Sequence, residues 1–422
     1  MIAKSWWGGC LVGALSIGVG SSVLAQVVPD NTLGAESSVV TPDNIGGIES
    51  DRIDNGAIRG ANLFHSFEQF NIGTGRGAYF TNPAGIENIF SRVTGANRSE
   101  IFGRLGVLGN GNANLFLINP QGIVFGSEAS LDLQGSFIAT TADAVRLGDT
   151  GLFSATQPET SNLLTVSPSA ILFNTIAAQP IVNQSRSSGA IGQNNSADLN
   201  PGLQVQPDRT LALIGGNVLL EGGRLTAAGG RIELGSVAGV GEVSLTPIGN
   251  RFVLGYDSIN DFGNILLSDG AYVDASGEGG GDIQIQGARL EMTQSSNIWA
   301  NTLGAENGGE VMVSVAEVVL SYSFLTANVY GTGTGGNLII DTRHLRVRDG
   351  AQVSASTFGE CKGGSLQITA TDSVDVIGTS RRFESGLFAK SEGSGDAGNL
   401  TIDTGRLLVS DGAQVVTSTY SE

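Results

Sequence analysis

The side chains able to act as soft ligands or bases are few: His65 and His344, 279 residues apart, and the thiols Cys10 and Cys361. A serine or cysteine nucleophile needs a base within hydrogen-bond reach, and a zinc site needs a full set of nitrogen and sulfur ligands. No spacing here suggests either, so both histidines read as structural. Asp349, with Arg346 or Arg348, has the residue types of an acid and a basic partner for glycan cleavage. Its context "DGAQV", however, returns at Asp411, and a residue that recurs with a repeat is more simply a corner than a catalyst. "GTGTGG", 331 to 336, fits the G-x-G-x-x-G pattern but leads into the strand-like "NLIID". A phosphate cradle would need a helix N-terminus there. "EGSGDAGN", 392 to 399, has the composition of a calcium-binding turn, yet it occurs once and off register. These residues predict no enzyme, no cofactor and no metal.

The elements that would carry them are strands. The 422 residues include 63 glycines and only 15% charged residues, and no stretch after residue 25 has the 3.6-residue periodicity of a helix. Net charge is -18, from 40 acids against 22 bases, which disfavours nucleic acid and anionic membrane as partners. The start reads as a signal peptide over residues 1–25: Lys4, the apolar "CLVGALSIGVG", then "SSVLAQ" with a cut after Ala25. Cys361 is then the only cysteine left, so no internal disulfide staples the exported chain. No membrane-spanning segment is expected in the mature chain.

Self-similarity is the strongest internal signal. "GNLIIDTRHLRVRDGAQVSASTFGE" from Gly336 returns as "GNLTIDTGRLLVSDGAQVVTSTYSE" from Gly398. Within it lies a shorter unit, a glycine before an alternating strand, at Gly281, Gly309, Gly336, Gly364 and Gly398, spaced by 28, 27, 28 and 34 residues. Apolar residues then alternate, as in Ile283 and Ile285, or Leu338 and Ile340, so each strand buries one face. A unit this short cannot bury its strands alone, so units must stack, with glycines and Asp-Gly pairs turning the corners. The expected fold is all-β, a parallel β-helix solenoid. Residues 26–255 are less regular and hold 12 of the 17 phenylalanines, which predicts an aromatic-rich N-terminal cap plus the first coils. A polar loop is expected over 183–202. Residues 256–422 form the repeat region, which stops mid-repeat and so points to a fragment or a truncated product.

The pieces "FEQFNI", "NIFSRVTG" with "SEIFGRL", "LFLINPQGIVFG" and "GSFIATTA", all between Asn62 and Ala142, have a family likeness. Together they resemble the filamentous-haemagglutinin-type secretion domain that opens two-partner secretion exoproteins. The resemblance implies a right-handed β-helix and a secretion domain over 26–255. Its implied partner is an outer-membrane TpsB-type β-barrel transporter whose periplasmic domains recognise that domain. The family motif Asn-Pro-Asn-Gly-Ile falls on Asn119, Pro120, Gln121, Gly122 and Ile123, with Gln121 the departure, an amide still being retained. A second motif, Asn-Pro-Asn-Leu, is echoed by Asn112, Asn114 and Leu115, with Ala113 in place of proline. These are the expected transporter-recognition or fold-critical residues.

By the same resemblance the chain is secreted through the periplasm of a Gram-negative-type bacterium to the cell surface or medium. An adhesin or haemagglutinin-like role is expected there, towards glycans or proteins of host or neighbouring cells. The alternatives are the transport platform of a longer effector (cytolysin, contact-dependent toxin or protease-bearing exoprotein) and a β-helical polysaccharide lyase or hydrolase.

Overall fold

The computed structural model describes residues 26–189 and 201–419. The expected signal peptide, 1–25, and residues 190–200 of the polar loop lie outside the described residues. The described chain winds into a parallel β-helix. One inward-facing column shows the winding: Leu63, Ile89, Leu115, Phe137, Leu211, Ile232, Ile283, Val311, Leu338, Leu366 and Leu400 stand in register on successive coils. Each is the apolar member of an alternating strand, so the column lines the lumen and is buried almost throughout. Two faces of the helix belong to a 19-stranded sheet, and the remaining face is a 5-stranded sheet in the early coils and an 8-stranded one later.

The corners divide the chain into two styles. In later coils the strands Asp282–Met292, Glu310–Ser321, Asn337–Arg348 and Leu366–Ile377 run across two faces in one bent element. In early coils the same bend is a break, as between Asn114–Ile118 and Ile123–Phe125. The Asp-Gly corners sit where the repeat requires them. Asp269, Asp349 and Asp411 all have left-handed φ, 55°, 57° and 55°, and each precedes a glycine that does too. Short polar residues and glycine tolerate that region best.

Two long excursions leave the helix at this same bend. One departs after Phe137–Thr140 and returns at Ile181–Asn183; the other departs after Arg231–Ser236 and returns at Asn264–Ser268. Their strands, Ala144–Leu147, Gly151–Ser154, Pro168–Phe173, Gly241–Ile248 and Arg251–Gly255, pair antiparallel into a sheet on the side of the helix. Between it and the helix lies a second core. The outward column Phe64, Phe90 and Phe116 stacks with centroids 5.1 Å and 4.7 Å apart, and Phe153 of the lateral sheet tilts onto Phe64 at 5.0 Å.

The aromatic concentration expected in the cap and first coils falls in two places. Phe67, Phe70 and Phe80 pack together in the lumen beneath the N-terminal cover. There Val27–Pro29 and Ala57–Arg59 lie antiparallel on Asn62–Phe70, so the outer edge of that strand is covered rather than open to another chain. The remaining early phenylalanines mostly serve the side, not the end.

Candidate functional site

The corner expected to be critical is built into the core. The Asn119 side chain is fully buried. Its Nδ2 donates to the Asn97 carbonyl (3.1 Å) and Ser99 Oγ (3.0 Å), while its Oδ1 accepts the Gln121 N–H (2.9 Å). The Gly122 N–H closes the turn on the Asn119 carbonyl at 3.1 Å. Gly122 has φ 109°, and a Cβ there would stand 3.3 Å from the Pro180 carbonyl oxygen, where the first excursion re-enters the helix. Ile123 donates its N–H to that same carbonyl and turns its side chain into the lumen. Pro120 is half-buried and Gln121 is exposed, so these two form the only outward tip of the motif. Emptying the Asn119 position would strand buried hydrogen-bonding groups at about 1–3 kcal/mol.

The second motif lies at the other end of the same strand. Asn112 is exposed and Leu115 is lumenal. Asn114 is the third rung of an amide ladder: its Nδ2 donates to Asn88 Oδ1 (3.0 Å), and Asn88 Nδ2 donates to Asn62 Oδ1 (3.1 Å). Asn62 in turn donates to the carbonyls of Leu164 and Val166 in the first excursion. Asn114 and Asn119 therefore bracket the strand whose Phe116 sits in the second core. A cleft of about 300 Å³ lies on the Asn114 side, lined by Asn112, Asn114, Pro168 and Asn250. One of about 160 Å³ lies on the other, lined by Pro120, Gln121, Thr141 and Gln179. Asp143 pins the excursion beside the second cleft by accepting from the Asn174 and Thr175 N–H groups and from Thr175 Oγ1.

Sequence reasoning missed the largest buried polar element. Arg92 is fully buried and joins three regions. It donates to Thr32 Oγ1 in the N-terminal cover (2.9 Å), to Ser66 Oγ in the first coil (2.9 Å), and to the Ser154 carbonyl (2.5 Å) and Ser161 Oγ (2.7 Å) of the lateral excursion. Its guanidinium lies 4.4 Å from the Phe153 ring centroid. Burial lowers its pKa to about 10, against the pull of Asp30 and Glu159, so it stays charged at neutral pH. Burial raises the Asp30 carboxyl, but hydrogen bonds from Thr32, Thr94 and Ser66 outweigh it and hold the group below its ordinary value. The amide ladder did have a sequence signal, Asn-Leu/Ile-Phe at 62, 88 and 114, a 26-residue period. Arg92 had none, because its partners are scattered along the chain.

The residues weighed for catalysis do not converge. His65 is buried with Nδ1 3.0 Å from Ser38 Oγ, and burial lowers its pKa to about 3 against the opposing charge of Asp54. His344 lies on the outer surface beside Ser373 and Asp372. Cys361 donates its thiol to the Thr332 carbonyl at a corner. Among the described residues no group of three or more His, Cys, Asp or Glu is placed to hold a metal ion.

The model of the TPS secretion domain matches residues 25–285. The chain belongs to the TPS secretion domain family. TPS exoproteins cross the periplasm, and their TPS domains interact with TpsB outer-membrane transporters. The HMW1 secretion domain from Haemophilus influenzae superposes with a TM-score of 0.53 at 19% identity, covering 91% of this chain and 97% of that one, a likeness of fold. The filamentous hemagglutinin secretion domain aligns with a TM-score of 0.35 at 15% identity, over 93% of this chain and 99% of that one. A heme/hemopexin-binding protein of Haemophilus influenzae is 28% identical over 153 residues, 36% of this chain and 14% of that protein's length. Within the TPS match fall the amide ladder, Arg92, the Asn119–Ile123 corner and the whole lateral sheet. No helix among the described residues is long and apolar enough to cross a membrane.

Proposed function

We propose that residues 26–255 are the part a TpsB transporter recognises, and that they nucleate folding of residues 256–422 outside the cell in a non-enzymatic, adhesin-like surface protein. The Asn119–Ile123 corner contributes by holding the lateral sheet in the shape the transporter reads; its side chains are not the read-out. The observation that carries this is the burial of Asn119, Gly122 and Ile123 beneath the return of the first excursion. A β-helix grows by adding strands to an existing edge, so early coils with two cores offer a template to later coils that have one. Export without ATP then draws on folding beyond the transporter. The N-terminal leader expected at 1–25 would deliver the chain to the periplasm.

Secretion in cells that carry or lack the cognate TpsB transporter tests the reading. Folded chain is expected in the medium or on the surface only when the transporter is present, with unfolded chain held in the periplasm otherwise. Equal release without the transporter would overturn it.

A further inference from the structure

We propose that a trough on the outer face of the later coils binds a neutral oligosaccharide lying along the helix axis, an inference that rests on the surface-presentation reading above. The trough has a volume of about 660 Å³ and crosses the strands Tyr272–Asp274, Asn297–Trp299, Phe324–Thr326, Gln352–Ser354 and Gly386–Ser391. Strand register fixes its cross-section. Thr326 and Ser354 stand side by side on the floor, and the outward positions two residues further on bring Asn301, Asn328 and Ser356 beside them. Small polar side chains make the floor low, while larger rings on either side make it a trough.

One wall is the stacked pair Tyr330 and Phe358, 4.9 Å apart and 4° from parallel, which remain 52% and 41% exposed. Phe324 stands on the other side, edge-on to Phe383 at 5.1 Å. Trp299 lies toward one end, T-shaped against Tyr272. Exposed rings in contact with one another, over a floor that is not apolar, match the amphipathic character of a sugar. Its C–H faces pack on ring surfaces while its hydroxyls seek amide and hydroxyl partners.

The floor amides are oriented before any ligand arrives. Asn301 Oδ1 accepts from the Asn328 N–H and Thr326 Oγ1, both at 2.9 Å. Asn328 Oδ1 accepts from the Ser356 N–H (2.9 Å) and Ser354 Oγ (2.7 Å). A backbone donor fixes each oxygen, so each NH2 group is left on the trough side. Among the described residues Asn328 Nδ2 reaches only Tyr330 Oη, at 3.5 Å. The coils repeat the Asn donor at the strand spacing of about 4.8 Å, comparable to the length of one sugar unit, which sets the ligand parallel to the axis.

Charge selects within glycans. Lys390 is the basic lining residue, against Asp274, Glu384 and Glu392. Its ammonium already lies 4.2 Å from the Phe388 ring centroid. An acidic polysaccharide would meet an excess of carboxylates, and an apolar peptide or a second copy of the chain would bury a hydroxyl- and amide-bearing floor without partners.

Trp299 is the only tryptophan after residue 25, so its fluorescence reports on the trough directly. The test titrates the full exported chain with cellohexaose, maltohexaose, chitohexaose and hexagalacturonate, for wild type and for Tyr330→Ala, Phe358→Ala and Asn301→Ala. Circular dichroism verifies each fold. At least one neutral hexamer is expected to shift the Trp299 emission saturably, with each variant weakening binding about tenfold or more and hexagalacturonate binding at least tenfold more weakly. Failure of all neutral hexamers, tightest binding of the acidic one, or unchanged affinity in folded variants would overturn the proposal. So would concentration-dependent dimerisation in sedimentation that the variants abolish. These readings use purified chain and are independent of whether a transporter was needed to export it.

Discussion

The coils before Gly255 and those after Asn264 share one ladder but treat its outer face in opposite ways. Along one outward column, Phe64, Phe90, Phe116, Ile138, Ala212 and Glu233 are buried under the lateral sheet, whereas Gln284, Met312, Ile339 and Gln367 face solvent to differing degrees. Identical backbone geometry therefore supports a two-core unit at one end and a one-core rod at the other. The early coils are tied laterally through Arg92, the amide ladder and the Asn119 corner. The later coils are held chiefly by the coil before and the coil after. A secretion domain needs a shape of its own for a partner to read; a rod needs only a template.

The largest effect should come from that column. Phe116→Ala is expected to cost about 3–5 kcal/mol, whereas Met312→Ala, in the same column beyond the lateral sheet, should cost below about 1 kcal/mol. Urea denaturation of both variants, followed by circular dichroism, measures the contrast, and equal losses would break it. Arg92→Met should come next, at about 3 kcal/mol, since it leaves the Ser154 carbonyl and three hydroxyls without their donor. Limited proteolysis should then cut first in the lateral excursion and leave the coils after Asn264 protected.

Acidity sharpens the comparison further, because two buried titratable groups lie in the early region with opposite signs. His65 binds a proton in the folded chain only near pH 3, whereas an unfolded histidine does so near 6.5. Its contribution is therefore present at neutral pH and is lost as pH falls from about 6.5 to about 3. Glu233, fully buried, has its carboxyl pushed up to about 7 by burial, against the attraction of Arg231. The folded form keeps a proton that the unfolded chain gives up above about 4.3, so its contribution is fully present below that value and is lost as pH rises through 7. Each slope is at most about 1.4 kcal/mol per pH unit. Urea midpoints between pH 4.5 and 7 should lose their downward component in Glu233→Gln and keep the upward one from His65. A variant profile identical to wild type would remove Glu233 from the account.

The lumen was legible in the sequence because strand alternation at Ile283 and Ile285 or Leu338 and Ile340 survives at a nearly constant spacing. The Asp-Gly corners were legible for the same reason. The lateral sheet was not. Its strands leave the helix for tens of residues and pair antiparallel with each other, so they add no repeat and blur the one they interrupt. Phe64, Phe90 and Phe116 could be seen as numerous but not as outward-facing, since a strand buried on both sides loses its alternation. Arg92, in the middle of "NIFSRVTG", looks like a solvated base until Thr32, Ser154 and Ser161 are brought around it.

The central claim is that the Asn119–Gly122 corner acts through the fold. Its most direct test measures, on one set of variants, refolding rate and affinity for the transporter's periplasmic domains. Asn119→Ala and Gly122→Ala should refold more slowly and lose binding and export in proportion, while Pro120→Ala and Gln121→Ala, at the outward tip, should match wild type in all three. Loss of binding by a natively folded Gln121→Ala, or Asn119→Ala refolding and exporting at the normal rate, would contradict it.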